Sequence, residues 1–163
     1  LGPGQFNRAT AYATDPTSLA RLKYLDQLGE IKIVANAEYR YKLADNFFGA
    51  KLKGAVFVDA GNVWRLGKKA ENPNGEFRLN NLFQSTAMGI GTGLRFDLSF
   101  FVFRLDAALK FKDPQFNGAD QWVLFKHANE LFHTGSFKAN YAKTNGGDTY
   151  NFLQLNFGIG LPF

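Results

Sequence analysis

Six charged residues stand out for their surroundings. Glu38, Arg40, Asp59, Arg95, Arg104 and Asp106 are each flanked on both sides by an apolar residue. Carboxylates and guanidiniums placed this way can pair with one another, or they can receive an incoming charged segment. Two carboxylates could also share acid–base work. No Ser/His/Asp arrangement supports that last option, so a catalytic carboxylate pair is set aside. The two histidines, His127 and His133, are too few for a His-built zinc or iron site and read as solvated loop residues. There is no Cys, which excludes disulfides and thiolate metal sites. Gly89, Gly91 and Gly93 are spaced by two with no helix following, so they are not a dinucleotide fingerprint. Glycines on one strand face let another backbone approach or let a wall bend, and here they are read as packing against an inserted segment. No metal, cofactor or catalytic residue is expected.

The elements that must position these charges are strands. From Glu30 to Leu43 the hydrophobic period is two: Ile31, Ile33, Ala35, Ala37, Tyr39, Tyr41 and Leu43 alternate with Lys32, Val34, Asn36, Glu38, Arg40 and Lys42. Successive strand residues point to opposite faces, so this is a long strand with one apolar and one charged face. The pattern returns over Lys51–Trp64, Ser85–Asp97, Phe101–Lys112 and Leu153–Phe163. In the fourth of these, Lys110 and Lys112 join Arg104 and Asp106 on the polar side. Strands this long exceed the ~5–6 residues usual in globular sheets and suit a tilted membrane strand of about 9–11 residues plus overhang.

The connections alternate in length: 44–50, then 65–84, then 97–99, then 113–149. Short turns on one side and long loops on the other follow the outer-membrane barrel rule, with 65–84 and 113–149 expected on the cell surface and the short turns in the periplasm. The 113–149 segment is expected to be a loop without structure of its own. Residues 1–29 read as the end of a long extracellular loop, with one short helix over Ser18–Leu28 capped by Ser18 and ended by Gly29. Trp64, Tyr39, Tyr41, Phe100 and Phe163 lie near strand ends and match interfacial aromatic girdles; the competing reading is the core of a soluble β-sandwich. The excess of 19 Lys and Arg over 14 Asp and Glu is scattered singly, so nucleic-acid binding is not indicated.

These stretches resemble a known family. Gly29-Glu30-Ile31-Lys32 through Glu38-Tyr39-Arg40-Tyr41, then Lys53 to Trp64 (KGAVFVDAGNVW), Gly91 to Asp97, Phe100 to Asp106, and Phe157 to Phe163 are similar to strands of the Omp85 superfamily barrel. The likeness covers Gly29–Asp113 and Asn151–Phe163, and it is closest to the assembly-module barrels of the BamA and TamA/TamL branches in Bacteroidota-type bacteria. It implies an all-β transmembrane antiparallel β-barrel of sixteen strands, of which residues 30–163 would be the last five. The chain opens Leu1-Gly2-Pro3-Gly4 without an initiator Met, and five strands cannot close a barrel, so a C-terminal segment of a larger chain is expected.

The resemblance further implies that Glu38 and Asp59 hold the Arg of an upstream loop motif. Arg40, Arg95, Arg104 and Asp106 would be the other lumen charges. Leu155, Phe157, Ile159, Leu161 and Phe163 would form the β-signal strand at the lateral seam. The implied function is non-enzymatic insertion of outer-membrane proteins at that seam. Implied partners are outer-membrane lipid, lipopolysaccharide, client outer-membrane proteins and accessory periplasmic or lipoprotein subunits. A passive pore, a two-partner secretion transporter and the barrel anchor of an upstream hydrolase domain remain as alternatives.

Overall fold

The computed structural model describes residues 4–5, 29–68, 73–98 and 100–161. The helix expected over Ser18–Leu28 and the terminal Phe163 lie outside the described residues. Five strands form one antiparallel sheet in the order β1-β2-β3-β4-β5. They are β1 (Ile31–Phe47), β2 (Ala50–Trp64), β3 (Ala87–Leu98), β4 (Phe101–Lys112) and β5 (Leu153–Gly160). Each strand pairs with its sequence neighbour, so the sheet is a meander.

The expected seven-residue connection 44–50 is instead mostly strand. β1 runs on to Phe47, and Phe47 pairs with Ala50 across the two-residue turn Phe48–Gly49. Both turn residues have positive φ, 52° and 82°, as a type I′ hairpin turn demands. Register shifts after Lys42 and Ala44 absorb the extra length in β1. The start of the third strand also moves, from Ser85 to Ala87, because Leu82–Ser85 forms a short helix, α1.

The register brings the five polar faces onto one side. Arg40, Ala55, Gly93, Asp106 and Asn156 form one row across the sheet; Lys42, Lys53, Arg95, Arg104 and Gly158 form the next. A one-residue slip in any strand would send its charges to the other side, so the pairing is strongly specified. The opposite face is a continuous apolar surface that no other described residues cover: Tyr39 is 68% exposed, Leu155 71% and Phe157 64%, with Ile33, Val56, Val58, Leu94, Leu105 and Ile159 also exposed. The outer edges of β1 and β5 are not paired with each other. The sheet is therefore an open portion of an all-β barrel wall, and its large apolar side chains are mostly exposed.

A compact apolar core lies in the 113–152 connection, although 113–149 reads from sequence as a loop without structure of its own. Val123, Tyr150 and Phe152 are buried there, with Phe116, Leu131, Phe137 and Tyr141 packed around them. The segment contains α2 (Val123–His127) and α3 (Ser136–Thr144). The buried Glu130 carboxylate accepts the backbone N–H groups of Phe137 and Lys138, which opens α3. Tyr150 donates its hydroxyl to Asp113 at 2.8 Å. Burial pushes the Tyr150 hydroxyl above its ordinary range and the Asp113 charge adds to that, so it remains a donor. His127 stacks on Phe137 with ring centroids 3.9 Å apart.

Both tight hairpins, β1–β2 and β3–β4, lie at one end of the sheet. Both long connections lie at the other. At the long-connection end Trp64 is buried, donates Nε1–H to Ser85 Oγ at 2.9 Å and meets Phe77 edge-on. It holds the 73–86 segment down and is not the exposed girdle residue expected of it. Lys112 departs from expectation too. A one-residue shift between Met88 and Gly89 pairs Lys112 with Met88 of the apolar row. Its buried ammonium then donates to the carbonyls of Phe83, Gln84 and Thr86.

Candidate functional site: the charged face of the wall

Strand alternation alone delivers the predicted charges to one surface. Glu38 on β1 accepts Arg40 Nε–H at 2.9 Å from two residues along the same face. From β3, two strands away, Arg95 places Nη2 2.5 Å from Glu38 Oε1. On β2, Ala55 stands in the row between those of Arg95 and Glu38, small and fully buried. Arg95 is only 7% exposed. Its register partner on β4 is a like charge, Arg104. Repulsion between the two is relieved because each turns to a different carboxylate: Arg95 to Glu38, and Arg104 to Asp106 on its own strand.

Asp106 is buried, and its Oδ1 has no hydrogen-bond partner among the described residues. Gly93 stands directly opposite, and a Cβ there would collide with Asp106 Oδ1. Gly91 likewise makes room for the ring of Phe57, its register partner on β2. Gly91 and Gly93 thus make room for neighbours within the sheet. An aromatic ring laid across a cross-strand glycine also pins register.

Asp59 sits on the same face, exposed and without an ion pair among the described residues. It lines a cavity of about 450 Å³ together with Gly89, Lys110 and Gln154. Of the two carboxylates assigned to an upstream Arg, Glu38 therefore already has two guanidinium partners in this sheet, while Asp59 is open. Sequence reasoning passed over one further pair on this face, Lys53 Nζ to Asp97 Oδ2 at 3.1 Å. Both stand at polar positions of their strands' alternation, and only the register of β2 on β3 brings them together.

The seam residues of β5 follow their expected alternation. Leu155, Phe157 and Ile159 lie in the apolar row, and Leu161, just past the strand, is 75% exposed. β5 pairs with β4 from Leu153 to Gly160 and has no other strand partner among the described residues.

Aromatic residues mark the hairpin end of the apolar face. Phe47 lies against Phe48 and Phe96, Phe101 meets Phe103 edge-on at 4.8 Å, and Phe103 contacts Phe157. No helix among the described residues is long and apolar enough to cross a membrane, which says nothing about strands.

An exposed apolar face, a charged and glycine-lined inner face, tight turns at one end and long connections at the other together define an outer-membrane-type β-barrel wall. The family model of the Omp85 superfamily domain matches residues 6–163, and the chain belongs to that superfamily. Neither a curated protein nor a solved structure gives a significant match. Membership assigns the chain to outer-membrane proteins concerned with inserting or transporting other proteins, a group that generally does so without enzymatic chemistry.

Proposed function

We propose that this chain supplies the seam side of a BamA/TamA-type insertase barrel of sixteen strands, each strand crossing the outer membrane. The observation that supports it best is the alternation of β5 in a chain of the Omp85 superfamily, with Leu155, Phe157 and Ile159 on the apolar face and Asn156 and Gly158 on the polar one. A short seam partner leaves backbone groups unpaired, and these can template the strand of a client protein by β-augmentation. The driving force is then the client's own hydrogen bonding and burial in lipid, so no nucleotide is required.

In this reading the charged face is the lumen. Its ion pairs hold the wall rigid while the seam opens, and Asp59, with Glu38 beside it, is the acceptor for an Arg from an upstream loop. The client is an unfolded outer-membrane protein, and accessory periplasmic or lipoprotein subunits deliver it. Reconstitution of the full-length protein in proteoliposomes tests the reading. Clients should fold faster than in empty vesicles while ion conductance stays low. High steady conductance without client folding would favour a pore or secretion transporter.

A further inference from the structure

The long connections do more than cap the wall at its loop end. Four aromatic rings gather where β4 ends: Phe111 lies 5.4 Å from Trp122 and 5.1 Å from Phe125, and Phe83 lies 6.3 Å from Trp122. Phe111 and Lys112 sit in the β4 bulge opposite Met88, an apolar-face residue. Phe83 comes from α1 in the 65–86 connection, and Trp122 and Phe125 come from the start of 113–152. Two separate connections therefore converge on one corner of the apolar face. Lys112 fastens them there, donating to three carbonyls around α1 with its ammonium 4.4 Å from the Phe83 ring centroid and 5.9 Å from that of Trp122.

The cluster is fixed but not covered. Phe125 is 71% exposed and Phe83 65%. On the helix α2, Phe125 lies two residues from the buried Val123 and so faces away from the 113–152 core. Its height is informative. The ten steps from Phe101 to Phe111 in β4 rise about 25 Å at ~3.3 Å per residue and a tilt of about 40°, the height of a barrel's apolar band. The exposed rings thus stand one band-height from the Phe101/Phe103 belt, continuous with the apolar face.

We infer that α1 and α2 form an interfacial anchor, with Phe83 and Phe125 inserted among the lipids of the leaflet on the loop side. The occupant of this patch is lipid, at the boundary of headgroups and acyl chains. Aromatic residues are favoured at that depth, and a short segment tied to the wall loses little freedom on inserting. This girdle joins one strand aromatic, Phe111, to rings carried by the two connections. The inference rests on the proposed membrane-spanning wall and adds a second, loop-borne contact with lipid.

Depth-dependent quenching tests it in the full-length protein reconstituted in nanodiscs. Single cysteines carrying an NBD fluorophore would be placed at Phe83, Phe125, Leu105 and Asp59. Lipids doxyl-labelled near the headgroup or deep in the chain are the quenchers. Labels at Phe83 and Phe125 should lose emission chiefly to the shallow quencher. The label at Leu105, mid-wall on the apolar face, should lose it to the deep one, and that at Asp59 to neither. If Leu105 is quenched while Phe83 and Phe125 are not, the wall stands and the anchor is wrong. If Phe83 and Phe125 are instead shielded from both lipid and aqueous iodide, a protein covers them and the anchor is equally wrong. Loss of quenching at Leu105 would remove the membrane wall itself.

Discussion

Arg95 on β3 reaches across the whole width of β2 to bring Nη2 within 2.5 Å of Glu38 Oε1 on β1. The two are linked by neither sequence proximity nor backbone pairing. Between their rows on β2 stands Ala55, small and fully buried. Three strands of the wall are thereby tied by side chains as well as by their ladders.

Breaking that tie should be felt as stability. Glu38→Ala strands the guanidinium of Arg95 on a half-dry face, at a cost of about 2 kcal/mol. The Glu38→Arg, Arg95→Glu double variant should recover part of it. The urea midpoint of the folded, gel-shifted form of the full-length barrel reads this directly. Equal midpoints for the parent and Glu38→Ala would show the pair to be idle.

Gly93 and Gly89 look equivalent in sequence and are not. Gly93→Ala drives a methyl into Asp106 and should destabilise by about 1–3 kcal/mol, as overpacking does. At Gly89 a Cβ would meet only Leu109 O at 3.5 Å, an ordinary contact, so Gly89→Ala should stay within about 0.5 kcal/mol. The same midpoint assay distinguishes them, and identical losses would refute the assignment of Gly93 to Asp106.

Charges on the apolar face should be penalised by depth. Leu155 pairs with Ala107 in mid-strand, whereas Ile159 pairs with Phe103 inside the aromatic belt. Leu155→Lys is expected to cost about 2–4 kcal/mol and Ile159→Lys about 1 kcal/mol or less. Refolding equilibria in lipid vesicles would reveal the order, and a reversed order would place the midplane elsewhere.

Glu130 gives the 113–152 cap an acid limit. Burial pushes its carboxyl up, but the backbone N–H groups of Lys138, Phe137 and Gly135 outweigh that, and the net direction is down. A carboxylate with a depressed folded pKa stabilises above its unfolded pKa and loses that contribution as pH falls through the folded one. Amide exchange in α3 should therefore accelerate once pH drops below the ordinary Glu range of about 4.3–4.5, and Glu130→Gln should flatten the dependence. Unchanged protection of α3 at pH 3 would contradict this.

Sidedness follows from the hairpin and loop ends. An impermeant thiol reagent on whole cells should label a cysteine at Asn74 and not one at Asn46. The opposite pattern would invert the barrel.

The strands were legible because each alternates with period two over a dozen residues, and Phe101–Lys112 matches its structural bounds outright. Face assignment followed from the same periodicity for Glu38, Arg40, Asp59, Arg95, Arg104 and Asp106. What periodicity cannot report is a bulge, so Lys112 was placed on the polar face. Nor does it report which charges meet, since that depends on register between strands up to 57 residues apart, as for Glu38 and Arg95. The fold of 113–152 was invisible because its core joins Phe116 and Val123 to Tyr150 and Phe152 across some thirty residues of irregular spacing. Trp64 and Phe57 were misjudged or missed for one reason: a large ring at a strand position does not disclose whether a neighbour, a glycine or lipid receives it.

The central claim is that β5 is a working seam. A disulfide from a cysteine on β5, at Asn156 on the polar face, to the strand that closes the barrel in the full-length chain would test it most directly. The locked protein should keep its folded, gel-shifted form yet stop inserting client barrels, and reduction should restore insertion. Undiminished client insertion by the locked, folded protein would contradict the seam and leave β5 as plain wall.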